Sequence, residues 1–405
     1  MTTETVKYQR KELELKALLE ITQAINENEN EEVLLNIFKF TCLVHLNIRS
    51  LLLYVFDEKN GHFVQRISHN VKGNIPRGIP QEDVSENRAI GKLSLNLSAE
   101  FSFSEVNIYV PVYHKDKMLA ILLLRTKDED KELDLNFTQA LANILVVALE
   151  NKRFARKQLE QERLRKELEI ASNVQRMLFP EKLPQNERLK AKVTYYPHST
   201  VGGDYYDLIQ KSDDEVFFCV ADVSGKGMPA SLLMSNFQAA LRTLLRSSSD
   251  LKMIVEQLNF TIFDNTRGER FITFFLGYYN YKQEKLTYVN AGHNPPVLCW
   301  EGEGKTELLE AGTTILGAFE HLPFLELGER TALKDFTIHL YTDGLTETFN
   351  IENEEYGEER FVDFIKNESC PSPQVFHEQF FGNLKNFSQG VPRKDDITLL
   401  SLKFC

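Results

Sequence analysis

The sequence predicts an α+β protein of two domains joined by one long helix. Three patterns carry this. A helix, an antiparallel sheet and a second helix fill roughly the first 150 residues. From Phe137 to Leu178 there is neither Pro nor Gly. After Pro184, short apolar strand-like runs alternate with grouped helical stretches. A length of 405 residues agrees with two or three domains, and the expected limits are 1–150, 151–180 and 181–405.

Residues 10–46 read as helical, with Leu15, Leu18, Leu19, Ile21 and Ile25 on one apolar face and Val33, Leu34, Ile37 and Phe38 on another. Leu51–Phe56 and Phe63–Ser68 read as strands around a turn closed by Gly61. Residues 72–105 are polar and irregular. Ile108–Val112 and Leu119–Leu124 form a second hairpin. The helix that follows runs to Pro180, about 40 residues and therefore roughly 60 Å. Its positions Leu164, Leu168, Ala171, Val174 and Leu178 advance by four, three, three and four, the spacing of a parallel coiled coil. A solvated linker helix is the plainer alternative. Beyond it, strands are expected at Ala191–Tyr196, Tyr205–Gln210, Glu215–Val220, Phe271–Tyr279, Lys285–Asn290, Pro296–Trp300, Thr337–Tyr341 and Ile397–Phe404. Helices are expected at Pro229–Arg246, Leu251–Thr266, Glu358–Lys366 and Pro373–Asn386. This order suggests a β-sandwich flanked by helices.

Composition narrows the partners. A net charge of −12 argues against nucleic acid and against an anionic membrane surface. No apolar run nears the roughly 20 residues that span a bilayer, and the first residues lack an apolar leader segment. Five scattered cysteines, Cys42, Cys219, Cys299, Cys370 and Cys405, fit reduced thiols in a cytoplasmic protein and show no zinc spacing.

Four acidic motifs punctuate the second half: Val-Gly-Gly-Asp at 201–204, Ala-Asp-Val-Ser-Gly-Lys-Gly at 221–227, Tyr-Thr-Asp-Gly at 341–344 and Lys-Asp-Asp-Ile-Thr at 394–398. Taken singly, each of the shorter ones reads as a turn, a helix cap or a solvated charge pair. Together at strand ends, their carboxylates make a hard, oxygen-lined, negative pocket. Such a pocket suits Mg²⁺ or Mn²⁺ and phosphate chemistry.

In order, these strings resemble the SpoIIE-type branch of the PPM metal-dependent Ser/Thr protein phosphatases, the RsbU-like group. The resemblance covers about residues 165–405. It includes Ile170 through Pro180, Gly202-Gly203-Asp204-Tyr205-Tyr206-Asp207 and Asn290-Ala291-Gly292-His293-Asn294-Pro295-Pro296 besides the acidic strings. It implies an αββα β-sandwich with a binuclear Mn²⁺ or Mg²⁺ site. Asp204, Asp222, Asp343 and Asp395 would be the catalytic carboxylates and metal ligands, and Val223 would offer its backbone carbonyl. Asp396 would stand behind them, and Asp207 would support Asp204 or face solvent. The phosphate-binding arginine of longer relatives has no counterpart near Gly202. His293 reads as part of a structural turn rather than as a general acid, and Cys219 as core. The implied mechanism is in-line attack by a metal-activated water, with no covalent enzyme intermediate. The implied substrate is a phosphorylated regulator of the anti-sigma-factor-antagonist kind.

The first 150 residues resemble a GAF sensor domain in element order, in Val110-Pro111-Val112 and in Ala148-Leu149-Glu150-Asn151. The resemblance implies a regulatory module acting through the helix, with a homodimer along it. Three rivals are weaker. A nucleotide cyclase would need Glu-Phe where Tyr205 and Tyr206 stand. A sensor kinase would need a histidine between Asn151 and Pro180. A pseudophosphatase scaffold would not need all four aspartates.

Overall fold

The computed structural model describes residues 3–84, 90–92, 106–114, 116–127, 134–300, 305–367 and 372–405. Cys370 lies outside the described residues. The chain divides into two compact units, Met1–Arg163 and Leu164–Cys405.

The first unit opens with α1 (Thr3–Asn26) and α2 (Glu31–Val44). The single helical stretch expected over 10–46 is therefore two helices. Asn28 adopts a left-handed backbone with φ of 56°, and the Asn30 side chain accepts from the Val33 amide at 3.0 Å, capping α2. Six strands follow: β1 (Ile48–Asp57), β2 (His62–His69), β3 (Gly78–Pro80), β4 (Gly91–Lys92), β5 (Ile108–His114) and β6 (Lys117–Thr126). They form one antiparallel sheet in the order β3-β2-β1-β6-β5-β4. Alternation sorts the side chains: Leu51, Leu53, Leu122 and Leu124 meet Leu34 and Phe38 of α2. Leu141, Leu145 and Leu149 of α3 (Leu135–Arg176) join the same core. The opposite face gathers Tyr54, Phe63, Tyr109 and Leu123 in a smaller cluster. Helix α3 is continuous for 42 residues, as the absence of Pro and Gly allows.

The second unit is a two-sheet sandwich. Its remaining elements begin with β7 (Leu189–Tyr196), β8 (Tyr205–Ser212), β9 (Glu215–Val223), α4 (Met228–Ser247) and α5 (Leu251–Thr266). Strands β10 (Ile272–Asn280), β11 (Lys285–Ala291), β12 (Val297–Trp300), β13 (Thr306–Leu308), β14 (Gly312–Thr313), β15 (Gly328–Arg330) and β16 (Phe336–Tyr341) follow. Helices α6 (Asp343–Thr346), α7 (Glu358–Asn367) and α8 (Pro373–Ser388) precede β17 (Ile397–Phe404). One sheet runs β14-β11-β10-β9-β8 with β15 on β11, and the other β13-β12-β16-β17-β7.

Three apolar layers hold the sandwich. Phe218 and Val220 of β9 face Ile338, Leu340, Leu400 and Leu402 between the sheets. The alternate β9 residues, Phe217, Cys219 and Ala221, pack on Met234, Phe237 and Ile254 of α4 and α5. Tyr341, Ile397 and Leu399 pack on Phe361, Phe376 and Phe380 of α7 and α8. Cys219 is thus core, as its strand position implied. The sequence pattern gave no element between Trp300 and Thr337. The structure adds β13, β14 and β15 there, each of two or three residues and too short for a period to register.

Candidate active site

The antiparallel pairing brings the four motifs to one end of the sandwich. Tyr205 pairs with Ala221, so Asp204 at the start of β8 lies beside Asp222 at the end of β9. Tyr341 pairs with Leu399, which sets the Asp343 end of β16 beside the Asp395 start of β17. The two sheet ends are then stitched together. Thr342 Oγ1 donates to Asp204 Oδ2 at 2.9 Å, and Thr398 Oγ1 donates to the same oxygen. The Thr398 amide donates back to Thr342 Oγ1 at 2.9 Å. Both threonines are completely buried.

Close backbone approach tightens the cluster. A Cβ on Gly203 would stand 2.9 Å from the Val223 carbonyl oxygen and 3.5 Å from Asp222 Oδ1. A Cβ on Gly344 would stand 2.0 Å from the Asp396 carbonyl oxygen. Only glycine fits such contacts. The buried Asp396 carboxylate organises the first motif: it accepts from the His198 amide at 2.6 Å and from the Gly203 amide at 2.7 Å.

Crowding and burial shift the carboxylates. Asp204 is 1% exposed, and its pKa is raised by burial, then by Asp222 and Asp396, against the two threonine hydrogen bonds. Asp222 is pushed up to about 7, first by burial, then by Asp343, Asp395 and Asp396. Asp343 is raised by burial and then by Asp395. Bringing these charges together is unfavourable unless protons or cations offset them. The donors are carboxylate oxygens with the Val223 carbonyl beside them, a hard set suited to Mg²⁺ or Mn²⁺. As they stand, no three His, Cys, Asp or Glu side chains among the described residues form a finished ligand cage. Asp395 is instead ion-paired to Lys226, Nζ to Oδ2 at 2.6 Å.

Asp207 neither supports Asp204 nor faces solvent. It is 1% exposed and accepts from Arg242 Nε at 2.8 Å, Arg242 Nη2 at 3.2 Å and the Tyr205 hydroxyl at 2.5 Å. It is a paired charge under α4, 35 residues from its partner in sequence, and no local signal announces the pairing. His293 is 5% exposed and its pKa is lowered to about 4 by burial. Its amide donates to Asn290 Oδ1 at 2.7 Å and its Nδ1 meets Thr273 Oγ1 at 2.8 Å, so it closes the turn after β11.

Sequence reasoning missed Gln175, near the end of α3. It is 5% exposed, donates from Nε2 to the Gly202 carbonyl at 2.7 Å and accepts from the Gly202 amide at 3.2 Å. Val174, the neighbour that the heptad spacing singles out, is exposed. Thr342, Thr398 and Lys226 were also passed over, although each lies inside one of the acidic motifs.

The family model described as stage II sporulation protein E (SpoIIE) matches residues 212–404. The phosphoserine phosphatase RsbU of Bacillus subtilis is 30% identical over 243 residues, covering 60% of this chain and 71% of that protein. The chain belongs to the SpoIIE-type serine/threonine protein phosphatases. A second Bacillus subtilis relative of this SpoIIE-type enzyme, the phosphoserine phosphatase RsbP, is 27% identical over 185 residues, 45% of each chain. In fold, the SiaA-PP2C domain of Pseudomonas aeruginosa superposes with a TM-score of 0.54 at 21% identity, covering 61% of this chain and 99% of that one. Membership in the SpoIIE-type family displaces the cyclase and sensor-kinase readings. Among the described residues no helix is long and apolar enough to cross a membrane.

Proposed function

We propose that this phosphatase hydrolyses phosphoserine or phosphothreonine on a small cytoplasmic regulatory protein of the anti-sigma-factor-antagonist kind. Its cofactors would be two Mn²⁺ or Mg²⁺ ions. Asp204, Asp222, Asp343, Asp395 and the Val223 carbonyl would hold them. The observation that carries the reading is the convergence of four motif aspartates at one sandwich end, where Asp222 is raised to about 7. Bound there, divalent ions would supply Lewis acidity toward the phosphoryl group and a water. The protein's own part is to position. Thr342 and Thr398 orient Asp204, Asp396 fixes the Gly203 backbone, and Lys226 brings a positive charge to the mouth of the pocket.

The N-terminal unit is read as a GAF-type sensor that gates the enzyme through α3, supported by its six-stranded antiparallel sheet with helices on one face. Gln175 gives α3 a direct grip on the Gly202 backbone, two residues before Asp204. The exposed Leu164, Leu168 and Val174 favour a second copy of the chain along the helix.

The test is hydrolysis of p-nitrophenyl phosphate and of a phosphoserine peptide, with and without Mn²⁺. Activity should require the metal and vanish in Asp222→Ala. Full activity in that variant would reject the site. The same rates from the full chain and from the 164–405 unit would reject the gating.

A further inference from the structure

Lys226 brings a positive charge to the acidic cluster, and what that charge acts on is still open. It sits between Gly225 and Gly227, whose φ angles are 92° and 73°. The loop beneath it is pinned. The Ser224 amide donates to the Phe271 carbonyl at 2.9 Å, the Phe271 amide donates to Ser224 Oγ at 2.9 Å, and Arg270 Nη1 donates to the Ser224 carbonyl at 3.0 Å. The Lys226 side chain itself is 54% exposed, and its tip is held by Asp395 Oδ2 at 2.6 Å and the Lys394 carbonyl at 2.5 Å. Its charge is felt at Asp343 and Glu347 as well. A pinned loop carrying an exposed, flexible stem lets the ammonium exchange one oxygen partner for another.

The charge balance says what the second position is for. Two divalent ions would neutralise the four carboxylates and leave no net positive charge for a phosphoryl group that carries roughly −1.5 to −2 charge. An ammonium on a flexible stem is a point charge suited to phosphate oxygens. It also contests Asp395, since an oxygen in close contact with an ammonium is not free to ligate an ion.

We propose that Lys226 alternates between Asp395 and the phosphoryl oxygens of the substrate: on Asp395 it competes with a divalent cation, and once displaced it binds the phosphoryl group. This rests on the phosphatase reading above and adds a substrate-binding cation to it.

The test uses the full chain, Mn²⁺ and inorganic phosphate as probes, and Lys226→Met beside Lys226→Arg. In Lys226→Met, calorimetry should show Mn²⁺ binding several-fold tighter. At saturating Mn²⁺, the inhibition constant of inorganic phosphate and the KM for a phosphoserine peptide should rise about tenfold, the loss of one charge-assisted hydrogen bond. Lys226→Arg should recover phosphate binding. Unchanged phosphate inhibition, or Mn²⁺ binding that is unchanged or weaker, in Lys226→Met overturns the proposal while wild-type activity leaves the phosphatase reading intact. A wild-type chain without Mn²⁺-dependent hydrolysis overturns both.

Discussion

Replacing Thr398 by Val removes one hydroxyl and almost no volume. Thr398 is completely buried, and its Oγ1 donates to Asp204 Oδ2. The backbone amide of residue 398 would still donate to Thr342 Oγ1, and Thr342 would still donate to Asp204. The substitution therefore isolates one of two hydrogen bonds that favour ionised Asp204 against burial and against Asp222 and Asp396. A hydrogen bond to a charged group is worth about 1.5–3 kcal/mol. Any cation that needs Asp204 ionised should then bind roughly 10- to 150-fold more weakly at neutral pH. The assay is the Mn²⁺ midpoint for hydrolysis of a phosphoserine peptide, with a calorimetric Mn²⁺ titration alongside and a melting curve to establish that the variant folds. A folded Thr398→Val whose Mn²⁺ midpoint lies within twofold of wild type would refute the reasoning, because Asp204 would then not depend on the threonine or not serve the metal.

Two further predictions concern the core and the assembly. Burial lowers His377 and His339 to about 3, from an ordinary value near 6.5. The unfolded chain takes up protons on them below about 6.5 that the folded chain refuses, so their contribution is complete above that pH and drains as pH falls toward 3, by about 1.4 kcal/mol per unit for each. The raised Asp204 and Asp222 work in the opposite direction, holding protons in the folded state that the unfolded chain has released. His377→Gln separates the two. It removes the ring that joins Thr194 to Ser401 and should cost stability at pH 7, with the gap to wild type closing between pH 6.5 and 4; parallel curves would contradict it. For the coil, sedimentation of the full chain should give a dimer mass that halves in Leu164→Asp/Leu168→Asp, and a monomer at micromolar concentration in the unaltered chain would reject it.

What could be read in advance follows from where each signal is stored. Asp204, Asp222, Asp343 and Asp395 sit in short strings beside apolar strands, so their place at strand ends was legible. In β9 the continuous apolar run made a strand legible, and the structure buries both of its faces, Phe218 and Val220 between the sheets and Phe217, Cys219 and Ala221 under the helices. Pairings across the chain were not legible. Asp207 finds Arg242 on a helix that packs over it, Gln175 finds a backbone group 27 residues on, and Thr342 meets Thr398 only because β16 and β17 are neighbours. The break between α1 and α2 was written in Asn28 and Asn30, but an apolar face on either side of it masked the cap.

We propose that the four aspartates form a divalent-cation site. A calorimetric Mn²⁺ titration of the full chain, repeated with Asp222→Asn, tests it most directly. Binding should be saturable and approach two ions per chain, with at least one of them lost in Asp222→Asn. No saturable binding, or the same isotherm in both proteins, would contradict it.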